Sequence, residues 1–201
     1  DIAALLAAIT PQTKVVAVAQ VTNVAGDTLP IAKIAAKAHA VGAVVVVDGA
    51  QAVAHLAVDV QAMGADFYAF SGHKIYGPTG IGVLYGRADL LQHMPPIQFG
   101  GEMISEVRDD VSTWADGPIK YEAGTPHIAG VIGLGAALTW FDQSVNAAAF
   151  DNEHQLADQL RAGLAAIPDV TVYGNQASLA TVSFNLTGIH PHDLATFLDE
   201  Q

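Results

Sequence analysis

Residues 43–50 read AVVVVDGA, and this stretch decides the fold. Four consecutive valines leave no polar face, so the run predicts a strand buried inside a sheet rather than one lying on water. Immediately before it, LPIAKIAAKAHAVG (29–42) predicts a helix, with Pro30 near its start and Gly42 just past its end. Earlier still, TKVVAVAQV (Thr13–Val21) is a second apolar run and predicts a strand covered on both faces. After the valines, VDVQAMGA (58–65) predicts a short helix and DFYAFS (66–71) a third strand. Strand, helix, strand, helix, strand implies a parallel sheet with right-handed crossovers. GIGVLYG (80–86) predicts a further strand, reached by a connection too short for a parallel crossover and therefore antiparallel.

Farther along, MPPIQFGGEMISEVRDD (94–110) and YEAGTPHIAG (121–130) read as irregular, and ordered loops of that length are often functional. A helix is expected from Ile128 to Phe141, built on small residues that permit close packing. From about Asn146 the texture becomes more polar: a helix over Ala147–Ile167, strands near VTVYG and LATVSFNL, and a helix after HPHD. This predicts two units, residues 1–145 as part of an α/β large domain and 146–201 as the start of a small α+β domain. The opening DIAALLAAI reads as the middle or end of a helix, and HDLATFLDEQ as a helix lacking a C-cap, as in a fragment of a longer protein.

Composition limits the function. Hydrophobic residues make up 51% of the 201 and charged residues 14%, which supports a large core and argues against disorder. A formal charge of −12 argues against nucleic acid and anionic membrane surfaces as partners. No apolar run approaches the roughly 20 residues of a membrane span. With no cysteine, disulfides, thiolate metal sites and a cysteine nucleophile are excluded within these residues, and a cytoplasmic location is compatible. The eight histidines show no HExxH spacing, so no metal site is expected, and His190-Pro191-His192 reads as a helix entry.

In open α/β sheets, ligands bind beyond the carboxyl ends of the strands. Here those ends carry Thr22-Asn23, Asp48-Gly49-Ala50-Gln51 and Ser71-Gly72-His73-Lys74. Asp48 suits either a helix N-cap or a carboxylate facing a ligand cation. Gln51 is either a first-turn helix residue or an amide donor to the same ligand. Lys74 is either a surface turn lysine or, among glycines that admit a ligand, a partly desolvated amine with the depressed pKa of a nucleophile. An amine and a carboxylate on neighbouring strand ends match the way pyridoxal phosphate (PLP) is held. There a lysine binds the aldehyde as an imine, and an aspartate pairs with the pyridine nitrogen. Ser71 and the backbone N–H groups of the glycine loop then suit the phosphate. GPTGIG is not a P-loop, because it lacks GK[ST] and precedes a strand. Ser71 and His73 have no nucleophile elbow, which argues against a serine hydrolase.

The stretch from Val45 to Arg87, VVVDGAQAVAHLAVDVQAMGADFYAFSGHKIYGPTGIGVLYGR, resembles the class V aminotransferase superfamily of PLP fold type I. Within it the chain looks like the Suf-type, or group II, cysteine desulfurases and selenocysteine lyases. QVTNVAGDTLPI, MPPIQFGGEMI and YEAGTPHIAGVIGLGAAL extend the resemblance. It implies a three-layer, mostly parallel sheet and a role for each matching residue. Lys74 would bind the cofactor aldehyde and later move protons. Asp48 would pair with the pyridine nitrogen, and Gln51 with the ring hydroxyl. Ser71 and His73 would bind the phosphate, and Asn23 would lie near the ring and the substrate carboxylate. Thr125 would reach the phosphate of a partner subunit's cofactor, implying a homodimer. The implied reaction turns L-cysteine into L-alanine and passes sulfur to an enzyme cysteine and on to a sulfur-acceptor protein. That cysteine, a substrate-binding arginine, a phosphate-binding threonine and a ring-stacking histidine are family features without a matching position here. Other outcomes of the same cofactor chemistry are selenocysteine lyase, cysteine sulfinate desulfinase, kynureninase-like and epimerase reactions. A catalytically silent α/β binding fragment is the alternative outside enzymology.

Overall fold

The computed structural model describes residues 1–175 and 178–200; Gln201, the last residue of the expected second unit, lies outside them. The chain runs α1 (Ile2–Ala8), β1 (Val15–Ala19), α2 (Ile31–His39), β2 (Val44–Asp48), β3 (Phe67–Ser71), a 3₁₀ turn (Gly72–Lys74), β4 (Gly82–Gly86) and α3 (Ala88–His93). It continues through β5 (Ile104–Val107), β6 (Ser112–Trp114), a second 3₁₀ turn (Gly117–Tyr121), α4 (Ile128–Ser144) and α5 (Ala147–Ala165). β7 (Val170–Tyr173), β8 (Ser183–Leu186) and α6 (Pro191–Asp199) complete it.

The main sheet has the order β1-β2-β3-β4. β1, β2 and β3 are parallel and β4 is antiparallel to β3, as expected. α2 turns Ile31, Ile34, Ala35 and Ala38 onto Val16, Val45, Val47 and Tyr68 to form the main core. Gly42 stops α2 with φ +76, a conformation that only glycine takes at no cost. Val45 and Val47 are fully buried against this layer, whereas Val44 and Val46 on the opposite face are only partly buried and Val15 is exposed. The two-sided cover expected for β1 and β2 is therefore one-sided among the described residues. A second cluster of Ala54, Ile75 and Leu134 seats α4 beside the first 3₁₀ turn.

Two expectations are corrected. VDVQAMGA is not a helix but a sequence of turns. Asp59 Oδ1 accepts the N–H groups of Gln61 and Ala62, and Gly64 at φ +71 reverses the chain after a single turn. Residues 94–110 are not wholly irregular, because β5 and β6 form an antiparallel hairpin with a register shift between Ile104 and Glu106. No single helix among the described residues is long and apolar enough to cross a membrane; α4 and α5 satisfy that test only together, with an 85° bend between them.

Asp66 ties the layers together at the sheet's amino edge, opposite the strand ends that carry the polar groups. It is 1% exposed and accepts Val45 N–H at 2.7 Å, His39 Nε2 at 2.8 Å and Arg87 Nη1 at 2.8 Å. Burial pushes the carboxyl pKa up, but the Val45 amide, His39 and Arg87 more than offset that and hold it below the usual aspartate value. A carboxylate whose folded pKa lies below the unfolded one stabilises fully above about pH 4 and loses that contribution as pH falls through the folded value. Asp66→Asn should therefore cost about 2 kcal/mol at neutral pH. In urea titrations, the gap from wild type should close as the medium is acidified below about pH 4; a gap that stays constant would contradict the assignment.

Candidate active site

Parallel pairing brings the strand ends level. Ala19 faces Asp48 across β1–β2, and Asp48 faces Ala69 across β2–β3. The chain leaves β1 with Gln20 N–H still donating to Asp48 O at 2.8 Å, so Asn23 emerges beside Asp48. Asn23 Oδ1 accepts a short hydrogen bond from Gln51 Nε2, which fixes the two amides against each other. Asp48 Oδ1 accepts Ala50 N–H at 2.9 Å. No α-helix begins there, only turns, so the N-cap alternative for Asp48 and the helical one for Gln51 both fall.

Lys74 ends the 3₁₀ turn that follows β3. That turn closes on one carbonyl: Gly77 N–H and Ile75 N–H both donate to Gly72 O, at 2.9 and 3.0 Å. A Cβ on Gly77 would stand 2.8 Å from the same oxygen, so glycine is required for the loop to fold this tightly. Tyr76 takes φ +62, a costly conformation for an aromatic residue, and its ring packs edge-on against Trp140 at 5.1 Å.

Asn23, Asp48, Gln51 and Lys74 line one hollow of about 310 Å³, with Ala19 and Val21 among its apolar members. Lys74 is exposed and makes no hydrogen bond or ion pair among the described residues. The desolvation expected of it is thus not supplied by this chain; the hollow is open rather than enclosed. Ser71 is half-buried at the end of β3, paired with Gly82, while His73 and Thr125 are exposed; none of the three lines the hollow. His190 Nδ1 accepts His192 N–H at the start of α6, the helix-entry role expected.

Tyr68, Gln20 and Gly49 were not foreseen. Tyr68 is 2% exposed and donates its hydroxyl to Gln20 Oε1 at 2.8 Å. Burial, and then the negative charge of Asp48, push its pKa up to about 12, so the phenol stays protonated as a donor. Its ring lies directly under the main chain after Asp48: a Cβ on Gly49 would be 2.0 Å from Tyr68 Cζ. A signal existed in the sequence, a glycine directly after a strand-end carboxylate, but not the identity of what approaches it.

A mostly parallel α/β sheet with an amine, a carboxylate and two amides at its carboxyl edge has the architecture of the fold type I PLP-dependent enzymes. The chain belongs to the class-V aminotransferase family, whose model, described as "Aminotransferase class-V", matches residues 1–201. It is 51% identical over 201 residues to a cysteine desulfurase of Dickeya dadantii, covering 100% of this chain and 49% of that protein. The crystal structure of the cysteine desulfurase CsdA from Escherichia coli superposes with a TM-score of 0.93 at 43% identity, covering 100% of this chain and 50% of that one. A mutant of C-DES with glycine covalently linked to the PLP cofactor superposes with a TM-score of 0.86 at 29% identity, covering 99% of this chain and 54% of that one. The chain thus spans about half the length of the curated relatives it matches.

Proposed function

We propose that this chain supplies the Lys74 and Asp48 side of the PLP site of a cysteine desulfurase. The observation that carries the reading is the shared hollow: a lysine amine without a partner among the described residues and a strand-end carboxylate face the same space, flanked by the Asn23–Gln51 amide pair. This donor set fits PLP, which needs an amine for its aldehyde and an anion for its ring nitrogen. Bound there, PLP supplies an electron-withdrawing ring that stabilises negative charge at the substrate's α-carbon.

In this reading Asp48 keeps the pyridine nitrogen protonated, and Gln51 donates to the ring hydroxyl while its partner Asn23 meets the substrate carboxylate. Lys74 binds the aldehyde and afterwards moves protons. Ser71 and His73 hold the phosphate. Thr125 serves the cofactor of a second copy, so the protein acts as a homodimer. Residues 1–145 belong to the cofactor-binding domain and 146–201 to a smaller one, and the protein works in the cytoplasm. The substrate is L-cysteine: its C–S bond breaks, L-alanine leaves, and sulfur joins a thiol as a persulfide. Because the 201 residues hold no cysteine, that thiol is not among them.

The complete protein carrying these residues, loaded with PLP and given L-cysteine and a reducing thiol, should release L-alanine and sulfide in equal amounts. Products from L-selenocysteine alone would redirect the substrate assignment. Turnover of neither would overturn it.

A further inference from the structure

The turn that presents Asn23 is gripped from outside by the segment joining β7 to β8. Within the turn, Gly26 N–H donates to Thr22 O and Asp27 N–H to Thr22 Oγ1, each at 3.0 Å, and Thr22 N–H donates to Asp27 O at 3.0 Å. None of these bonds anchors the turn to the main core. Four further contacts tie it to the β7–β8 segment instead. Asp27 Oδ1 accepts Ser178 Oγ at 2.7 Å and Asn175 N–H at 3.1 Å. Leu179 N–H donates to Gly26 O at 3.0 Å, and Ser183 Oγ donates to Val24 O. Ser178 is 3% exposed, so its hydroxyl is withdrawn from competing water where it meets Asp27.

Two further features belong to the same clasp. From α5, Arg161 Nη2 donates to the carbonyls of Ser178, at 2.6 Å, and Leu179, fastening the gripping segment to a long helix. Gly174 takes φ +93, and a Cβ there would lie 2.8 Å from both Ala25 O and Ser178 Oγ. Any other residue would force the two segments apart.

We propose that Asp27 and Ser178 are positioning residues, a clasp through which the C-terminal β7–β8 segment holds the Asn23 turn and so sets the geometry of the cofactor hollow. The proposal rests on the reading of Asn23 as a cofactor-site residue. Asn23 reaches the hollow already bonded to Gln51, so a turn that swings outward withdraws one amide and unpairs the other. Coupling of this kind is reciprocal: a ligand that engages Asn23 tightens the clasp.

The test combines amide hydrogen exchange with PLP titration on the full chain. Asp27→Ala removes both hydrogen bonds that Asp27 Oδ1 accepts and should raise exchange at Thr22 and Gly26, and weaken PLP binding, by about tenfold or more. Asp27→Asn keeps an Oδ1 acceptor and should restore most of both readouts. Gly174→Ala should act like Asp27→Ala, whereas Gly163→Ala, an α5 position where a Cβ meets nothing, should change neither. Unchanged exchange in Asp27→Ala, or raised exchange with undiminished PLP affinity, would overturn the proposal. If the wild-type chain fixed no PLP at Lys74 on borohydride reduction, the cofactor reading would fail, while exchange at Gly26 would still decide whether the clasp holds the turn.

Discussion

Lys74→Ala is expected to abolish borohydride-fixed PLP on this chain while leaving its stability within about 0.5 kcal/mol of wild type. The two halves of this expectation have one cause. Lys74 is exposed and has no partner among the described residues, so removing its side chain breaks no contact that holds the fold. It is also the one amine among the residues lining the hollow. Lys120 cannot substitute: it is buried and its Nζ donates to Gln92 O at 3.0 Å. Lys74→Arg should fail equally, because a guanidinium stays protonated and offers no free amine to an aldehyde. Peptide mapping after reduction separates the site from scattered reaction at surface lysines. Equal labelling of wild type and Lys74→Ala would remove Lys74 from its assigned role.

Gly49→Ala should be the most damaging small substitution in the sheet. The added methyl would sit 2.0 Å from Tyr68 Cζ and 2.1 Å from its hydroxyl oxygen, well inside any real contact. The ring cannot retreat, since Tyr68 is in the core beneath α2 and its hydroxyl is committed to Gln20 Oε1. Overpacking of this severity costs about 3 kcal/mol or more, readable as a lowered denaturant midpoint. The strain would displace the main chain between Asp48 and Ala50, so PLP affinity should fall with stability. Gly101→Ala, where a Cβ meets nothing, should be nearly neutral and serves as the control. A Gly49→Ala chain as stable as wild type would mean that Tyr68 does not pack where it is described.

The main sheet was legible because its strands are continuous β-branched or aromatic runs and its helix α2 is punctuated by Pro30 and Gly42. The failures occurred where local pattern competes with a single side chain or carries no pattern at all. Asp59 and Gly64 convert a helical-looking octet into turns. β5 is exposed at every position and β6 is three residues long, so neither shows the alternation by which a half-buried strand is recognised. For the site, Asn23, Asp48, Gln51 and Lys74 converge as their strand-end positions imply. Ser71, His73 and Thr125 do not join them in the hollow, and their roles rest on the resemblance.

The parallel sheet with its antiparallel last strand, the edge of it that carries chemistry and the amine and carboxylate there follow from the sequence alone. Each depends on near neighbours: a buried run, a crossover length, a polar residue at a strand end. Tertiary structure alone decided that Lys74 stays exposed, that Tyr68 closes off the space beneath Gly49, and that Asp27 is held by Ser178 from the far end of the chain. Those outcomes depend on strand register and on contacts between residues up to 159 positions apart. Such contacts leave no periodicity, because a hydrogen bond or a ring meeting a glycine requires only one residue from each segment.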